Sequence, residues 1–322
     1  MRLGASSALS HAGRRRRHNE DAYVIAPPLF AVADGMGGAK AGEVASGLAA
    51  AALKDNDVAG QTGEERVAAL IQEANRRVFL RANEDREASG MGTTMTVALV
   101  EPDRVVIGHV GDSRAYLIRD GELEQLTDDH SLVAELVRNG KLTPEEAETH
   151  PQRSVITRAV GTDVDVDVDT FSVRGAAGDI FLICSDGLTD MVGDKGILDV
   201  VERNRADLDE AAKALVNAAN RGGGEDNITV VFFELTGEDF ADTAVTEQAP
   251  VIGSETSEDE DTLSGLDAVP TVDTMIVPPS EPSGDSRPAK RERRRSRVLP
   301  ILAALAVLLI AAAAILWLLE RM

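Results

Sequence analysis

A single cysteine, Cys184, stands in the 322-residue chain. One thiol excludes an intramolecular disulfide framework and fits a reducing compartment. Basic residues are scarce, 33 against 55 acidic ones, for a net charge of −22. That balance argues against a nucleic-acid surface, and the short run Arg14–Arg17 does not reverse it. The N-terminus has no apolar core, so no secretory leader is expected. Histidines 11, 109, 130 and 150 show no zinc-site spacing and read as structural. GGAKAG does not complete the phosphate loop G-x-x-x-x-G-K-[ST].

What is present falls into three parts. Residues 1–236 mix apolar and charged residues in globular proportion, enough chain to bury a large core. Residues 237–297 read as a disordered acidic linker, rich in Asp, Glu, Ser, Thr and Pro. The stretch from Thr236 to Ala289 carries more than half of the net charge, with Arg287 its one basic residue. Such composition buries too little apolar surface to offset chain entropy. The linker ends in KRERRRSR (Lys290–Arg297). Residues 298–319 then form a 22-residue run without a charge, about 33 Å as a helix and long enough to span a bilayer. Basic residues on its N-terminal side place residues 1–297 in the cytoplasm by the positive-inside rule. The expected location is therefore the cell membrane, single-pass. The polybasic segment can also meet anionic lipid headgroups.

Short Val-, Ile-, Phe- and Thr-rich runs bounded by Gly, Asp or Asn predict strands at 22–25, 29–33, 95–100, 104–110, 114–118, 164–173, 179–184 and 228–234. Helical spacing predicts helices at 40–54, 64–87, 131–139, 143–149, 195–203 and 207–220. Consecutive strands with helices in blocks point to an α+β fold with antiparallel sheet.

Four strand ends carry carboxylates: NEDAYVI (Glu20, Asp21), VADGMGG (Asp34), CSDGLTD (Asp186) and GGGEDNITVVFF (Asp226). Ionised carboxylates avoid apolar surroundings unless something pairs with them. Taken singly, each Asp-Gly is an ordinary turn. Gathered at one edge of a sheet, they offer hard oxygen donors suited to Mg²⁺ or Mn²⁺, and Gly35 lets its own carbonyl approach such an ion.

The motifs GRRRRHNEDAY, FAVADGMGGAKAGEVAS, GMGTTMTVAL, IGHVGDSRAYLIRDGELEQLTDDHS, FLICSDGLTD and GGGEDNITVVFF follow one another in an order and spacing similar to the PP2C-type (PPM) metal-dependent protein serine/threonine phosphatases. The resemblance covers about residues 5–235 and is nearest to the bacterial membrane-anchored branch. It implies a two-sheet antiparallel β-sandwich flanked by helices (α-β-β-α), here with a C-terminal transmembrane helix, and a binuclear Mn²⁺ or Mg²⁺ centre. By motif, Asp34 would bridge both ions and the Gly35 carbonyl would bind one. Asp186 and Asp226 would hold the other, with Glu20 and Asp21 acting directly or through water. Arg16, in the G-x-x-R-x-x-N-E-D register from Gly13, would grip the substrate phosphate. Asp112, with Ser154, would bind a third, weaker ion. The expected reaction is hydrolysis of phosphoserine and phosphothreonine by a metal-activated water, without a covalent intermediate. Eukaryotic members often carry a histidine where Met36 stands. Met36 cannot donate a proton, so a water or another residue such as His18 would serve the leaving group.

Rival readings fit less well. The C-x5-R signature of cysteine-based phosphatases fails, because Asp190 stands six residues after Cys184. TDVDVDVDTF does not complete the D-x-D-x-T/V signature of dehalogenase-type phosphatases, and its alternation predicts a strand with one wet face. The non-catalytic alternative is a membrane-tethered pseudophosphatase that binds phosphoproteins without turnover. The expected partners are phosphorylated proteins, among them a serine/threonine kinase. Thr256, Thr262, Thr271 and Thr274 lie in acidic surroundings that could dock a phosphothreonine reader once phosphorylated.

Overall fold

Apolar runs of five to nine residues that end in glycine or aspartate are too short for helices and pair into sheets. The computed structural model describes residues 1–37, 41–55, 62–85, 88–237 and 251–253. A first unit, Met1–Glu260, holds every described element; the second, Asp261–Met322, lies outside the described residues. The chain opens with β1 (Arg2–His11), β2 (Asp21–Ala26) and β3 (Leu29–Met36), followed by α1 (Ala41–Asp55) and α2 (Gly63–Glu84). Next come β4 (Gly92–Thr93), β5 (Met95–Val100), β6 (Arg104–Val110), β7 (Arg114–Arg119) and β8 (Glu122–Gln125). Two short helices, α3 (Leu132–Arg138) and α4 (Pro144–Glu148), precede β9 (Asp169–Arg174) and β10 (Ile180–Cys184). The one-turn α5 (Asp186–Thr189), then α6 (Asp194–Arg203) and α7 (Leu208–Gly222), lead to β11 (Ile228–Thr236) and β12 (Val251–Gly253).

One sheet runs β1-β11-β10-β7-β8, and the other β12-β2-β3-β5-β6-β9 with β4 beside β3. All pairings are antiparallel. Their inner faces share a core that includes Phe30, Val32, Ile107, Phe181, Val231 and Phe233. The aromatic poverty of the chain is offset by placement: Phe233 stacks between Phe30 and Phe181, with ring centroids 4.4 and 4.9 Å away. Helices α1 and α2 cover the outer face of the second sheet, and α6 and α7 that of the first. The layers are therefore helix, sheet, sheet, helix, as the resemblance implied.

The predicted helices form within a few residues of their expected bounds. In α4 the Thr143–Glu146 capping box and Pro144 at the first turn explain the start. Several elements depart from expectation, among them the short strands β4 and β8, which are not predicted. Strand β1 was not foreseen, because its two inward polar residues, Ser7 and Ser10, break the apolar signature. The strand expected at 164–173 begins only at Asp169: Val164 is 67% exposed and the residues before Asp169 are bends and irregular chain. The helical turn α5 occupies the segment just after Cys184 that reads as a plain Asp-Gly turn. Val251–Gly253, within the stretch read as linker, pairs with β2. The rest of that linker, the polybasic segment and the apolar run 298–319 lie outside the described residues. Among the described residues no helix is long and apolar enough to cross a membrane.

Candidate metal centre

Antiparallel register brings the first two carboxylates together, because Asp21 opens β2 directly opposite Asp34 on β3. Asp186 follows β10, Asp226 precedes β11, and Asp112 lies in the β6–β7 turn. Strands β10 and β11 are neighbours in one sheet, β2, β3 and β6 members of the other, so the five carboxylates come from both.

Asp21 is buried, and its Oδ2 accepts from Ser185 Oγ at 2.8 Å and Thr229 Oγ1 at 2.6 Å. Its Oδ1 is buried with no hydrogen-bond partner among the described residues. Burial raises its pKa to about 6 despite those two donors, with Asp226 adding to the rise. Burial, then Asp21, Asp186, Asp112 and Asp226, pushes Asp34 well above the ordinary carboxylate range. The same causes act on Asp186, burial first, then Asp112, Asp226, Asp190 and Asp21. Asp112 rises to about 7 through burial and Asp129. Glu20 is also raised, by burial, although Arg16 and His18 draw it down.

Mutual repulsion of buried carboxylates is the signature of a site completed by cations. Three of the five buried side-chain N or O atoms that lack a partner among the described residues are carboxylate oxygens of this cluster, on Asp21, Asp112 and Asp186. The donors are all hard oxygens, so they fit Mg²⁺ or Mn²⁺ and not a soft metal. Among the described residues no three His, Cys, Asp or Glu side chains close on one point as a self-sufficient cage. Backbone carbonyls and water would complete each coordination shell, as Mg²⁺ tolerates well.

The local backbone leaves no latitude. A Cβ on Gly35 would strike the carbonyl groups of Gly42 and Glu20, and one on Gly42 would strike the Glu20 carboxylate. The Gly35 N–H donates to the Glu20 carbonyl at 3.1 Å, which also accepts from Ser46 Oγ at 2.6 Å. The start of α1 thus holds the Glu20 backbone and Gly35 against each other.

Arg16 lies over the cluster, with Nη2 2.6 Å from Asp226 Oδ2. Burial works against its charge, but Asp226, Glu20 and Asp34 outweigh that and raise its pKa. The motif register that singled out Arg16 among four arginines therefore selects the one paired with the cluster. Ser154 is placed differently. It is exposed in the turn after α4, and among the described residues no hydrogen bond or charge interaction joins it to Asp112. Its neighbour Arg153 instead approaches Asp190 at 3.9 Å.

Sequence reasoning missed two contributors. Asn227 is buried and uses its whole carboxamide: Oδ1 accepts from Glu20 N at 2.8 Å, while Nδ2 donates to Ala12 O at 3.1 Å and His18 O at 3.0 Å. Its backbone N–H donates to Asp226 Oδ1 at 2.8 Å. A carboxamide directly after a candidate ligand was the available signal. Asp190, one helical turn after Asp186, joins the same field and is raised by burial. His130, read as structural, ties the Asp112 turn down: its N–H donates to Gly111 O at 2.7 Å, and its Nδ1 accepts from Gly111 N at 3.0 Å.

A helix-flanked double sheet with oxygen donors gathered from both sheets defines a candidate site for hard divalent cations. The family model for protein phosphatase 2C matches residues 11–222. The serine/threonine phosphatase stp of Listeria welshimeri is 44% identical over 233 residues, 69% of this chain and 92% of that protein. The serine/threonine protein phosphatase PstP of Mycobacterium tuberculosis is 42% identical over 262 residues, 80% of this chain, which spans 49% of that relative. The crystal structure of the M. tuberculosis phosphatase PstP/Ppp superposes with a TM-score of 0.69 at 42% identity, covering 73% of this chain and all of that one. A crystal structure of the PstP catalytic domain in complex with two manganese ions gives 0.67 at 39% identity, over 73% and 99% of the two chains. The chain belongs to the protein phosphatase 2C family.

Proposed function

We propose that the chain hydrolyses phosphoserine and phosphothreonine on proteins and so reverses the action of a serine/threonine kinase. The observation that carries this reading is the cluster of mutually repelling carboxylates beneath Arg16. Asp34, Asp186, Asp226 and the Gly35 carbonyl would hold two Mn²⁺ or Mg²⁺ ions, with Glu20 and Asp21 supporting them directly or through water and Asp112 serving a weaker third. Such a pair, when bound, polarises the phosphoryl group and acidifies a water for in-line attack.

The chain's own residues do the rest. Arg16 presents a planar fork to two phosphate oxygens. Asn227 fixes both ends of the loop that carries it. Asp21 is locked by Ser185 and Thr229 through one oxygen, which leaves its other oxygen for a cation. Met36 offers no proton. His18 is exposed in the arginine loop beside Glu20, whose carboxylate it helps to keep charged, and that position makes it the side-chain candidate for protonating the leaving alkoxide.

The test is Mn²⁺-dependent turnover of p-nitrophenyl phosphate and of a phosphothreonine peptide by the full-length chain. Asp34→Asn is expected to lower kcat by about 10²–10³-fold, the scale of losing one preorganised electrostatic group. Binding of phosphopeptide without turnover would favour the pseudophosphatase instead.

The apolar run 298–319, preceded by KRERRRSR, supports a single-pass anchor with the catalytic domain on the cytoplasmic side. The acidic stretch between them would act as a tether, and its threonines as docking points for a phosphothreonine reader. Membrane fractionation checks this: the full chain is expected in the membrane pellet, and a chain ending at Arg297 in the supernatant.

A further inference from the structure

The loop between β1 and β2 holds four successive arginines, and the site uses one. Arg14, Arg15 and Arg17 are exposed, and among the described residues none of their guanidinium groups has an ion-pair partner. In a chain with 33 basic and 55 acidic residues, three unpaired cations in one turn run against the general balance. The loop that displays them is held at several points. Arg14 N and Arg15 N both donate to Gly224 O, at 2.7 and 3.2 Å, where the chain leaves α7. Asn227 grips the carbonyls of Ala12 and His18 on either side. Gly13 takes a positive φ of 77°, its N–H donates to His11 Nδ1 at 2.9 Å, and a side chain there would strike the Asp226 carbonyl. The cations therefore stand on a fixed support beside Arg16.

We infer that Arg14, Arg15 and Arg17 form a docking surface for acidic side chains flanking the phosphorylated residue, which makes the enzyme selective for phosphopeptides in acidic sequence context. The inference rests on the phosphatase reading of the same site and deepens it by naming a substrate class. Its physical basis is charge complementarity at a rim. Each exposed contact is weak alone, but three fixed cations around one anchored phosphate act together and steer encounter. The same carboxylates that repel one another in the site disfavour further negative charge, so an acidic partner needs a local positive patch to approach.

The experiment uses the full-length chain and three phosphothreonine peptides of one core, flanked by Glu, Ala or Lys. Binding is read by fluorescence anisotropy in EDTA, where no turnover occurs, and kcat/KM is read with Mn²⁺. The Glu-flanked peptide is expected to exceed the Lys-flanked one on the order of tenfold at low salt, falling toward parity by about 0.5 M salt. Arg14→Gln/Arg15→Gln/Arg17→Gln, with its fold checked by thermal melting, is expected to treat the three peptides alike. Arg15→Glu/Arg17→Glu is expected to invert the order. Equal binding of the three peptides by the unaltered chain, or discrimination that survives the triple substitution, overturns the inference. So does a triple variant that loses only its affinity for phosphatidylserine vesicles. Discriminating binding with no turnover of any peptide sinks the phosphatase reading and leaves the docking surface standing.

Discussion

Replacing Asn227 with alanine removes three hydrogen bonds at once and strands the Glu20 N–H and two carbonyls. A typical bond contributes about 1 kcal/mol net, and a buried group left unpaired costs about 1–3 kcal/mol. Asn227→Ala is therefore expected to destabilise the domain by about 2–4 kcal/mol in urea unfolding. Phosphate affinity should fall with it, because the arginine loop loses the two bonds that hold its ends. The raised carboxyls make a second prediction at this scale. Asp21 titrates at about 6 and Asp112 at about 7 in the folded chain, against an ordinary 3.8. The folded state thus holds protons that the unfolded chain releases. Their stabilising effect is fully present below 3.8 and is lost as pH rises through about 6 and about 7. The metal-free protein should melt several degrees higher at pH 5 than at pH 8, and Mn²⁺ should raise the melting temperature more at pH 8 than at pH 5. Differential scanning fluorimetry in EDTA and in Mn²⁺ checks both. At this scale the carboxylates were legible because an aspartate at the tip of an apolar strand has no packing reason to be there. Asn227 was not, since an amide is at home in any turn, and its value lies in partners more than 200 positions away in sequence.

Elements translate such residue constraints into geometry, and the two glycines of α1 show how differently one helix treats the same substitution. Nothing lies within 4 Å of a Cβ on Gly47, whereas one on Gly42 collides with the Glu20 carboxylate and the backbone of Gly35. Gly47→Ala should stabilise the domain by about 0.5–1 kcal/mol with activity unchanged. Gly42→Ala should instead weaken Mn²⁺ binding and turnover, which titration calorimetry and kinetics would read separately. Helix spacing and capping residues made α1, α2, α4, α6 and α7 readable from sequence. Strand β1 escaped because its pairing with β11 buries serines, not an apolar stripe: Ser10 Oγ lies 2.7 Å from Thr229 Oγ1 and accepts from Asn19 Nδ2 at 2.7 Å. The alternating Val-Asp run misled in the opposite sense. Its carbonyls at Asp163, Val164 and Val166 are taken by Asn75 and Gln72 of α2, so the segment spends its backbone on a helix before reaching the sheet.

Across the whole molecule, the candidate ligands are divided between two sheets that meet through a shared apolar core and, at the site, through the bonds of Asp21 to Ser185 and Thr229. Neither sheet alone carries a complete set. The membrane anchor and the acidic tether proposed from composition would add position to this chemistry. The class of fold was legible because strands and helices arrive in blocks; the pairing order was not, since β1 and β11, first and last of their sheet in sequence, are neighbours in space.

That neighbourhood gives the opening strand an unexpected reach. β1 belongs to one sheet and β2 to the other, so the polypeptide changes layers along residues 12–20, the stretch that bears Arg16 and Glu20. A change at the very beginning of the chain, such as a bulky fusion or a clipped first strand, would slacken the bridge from which the phosphate grip hangs. Catalysis would then fade in a molecule whose interior still looked intact.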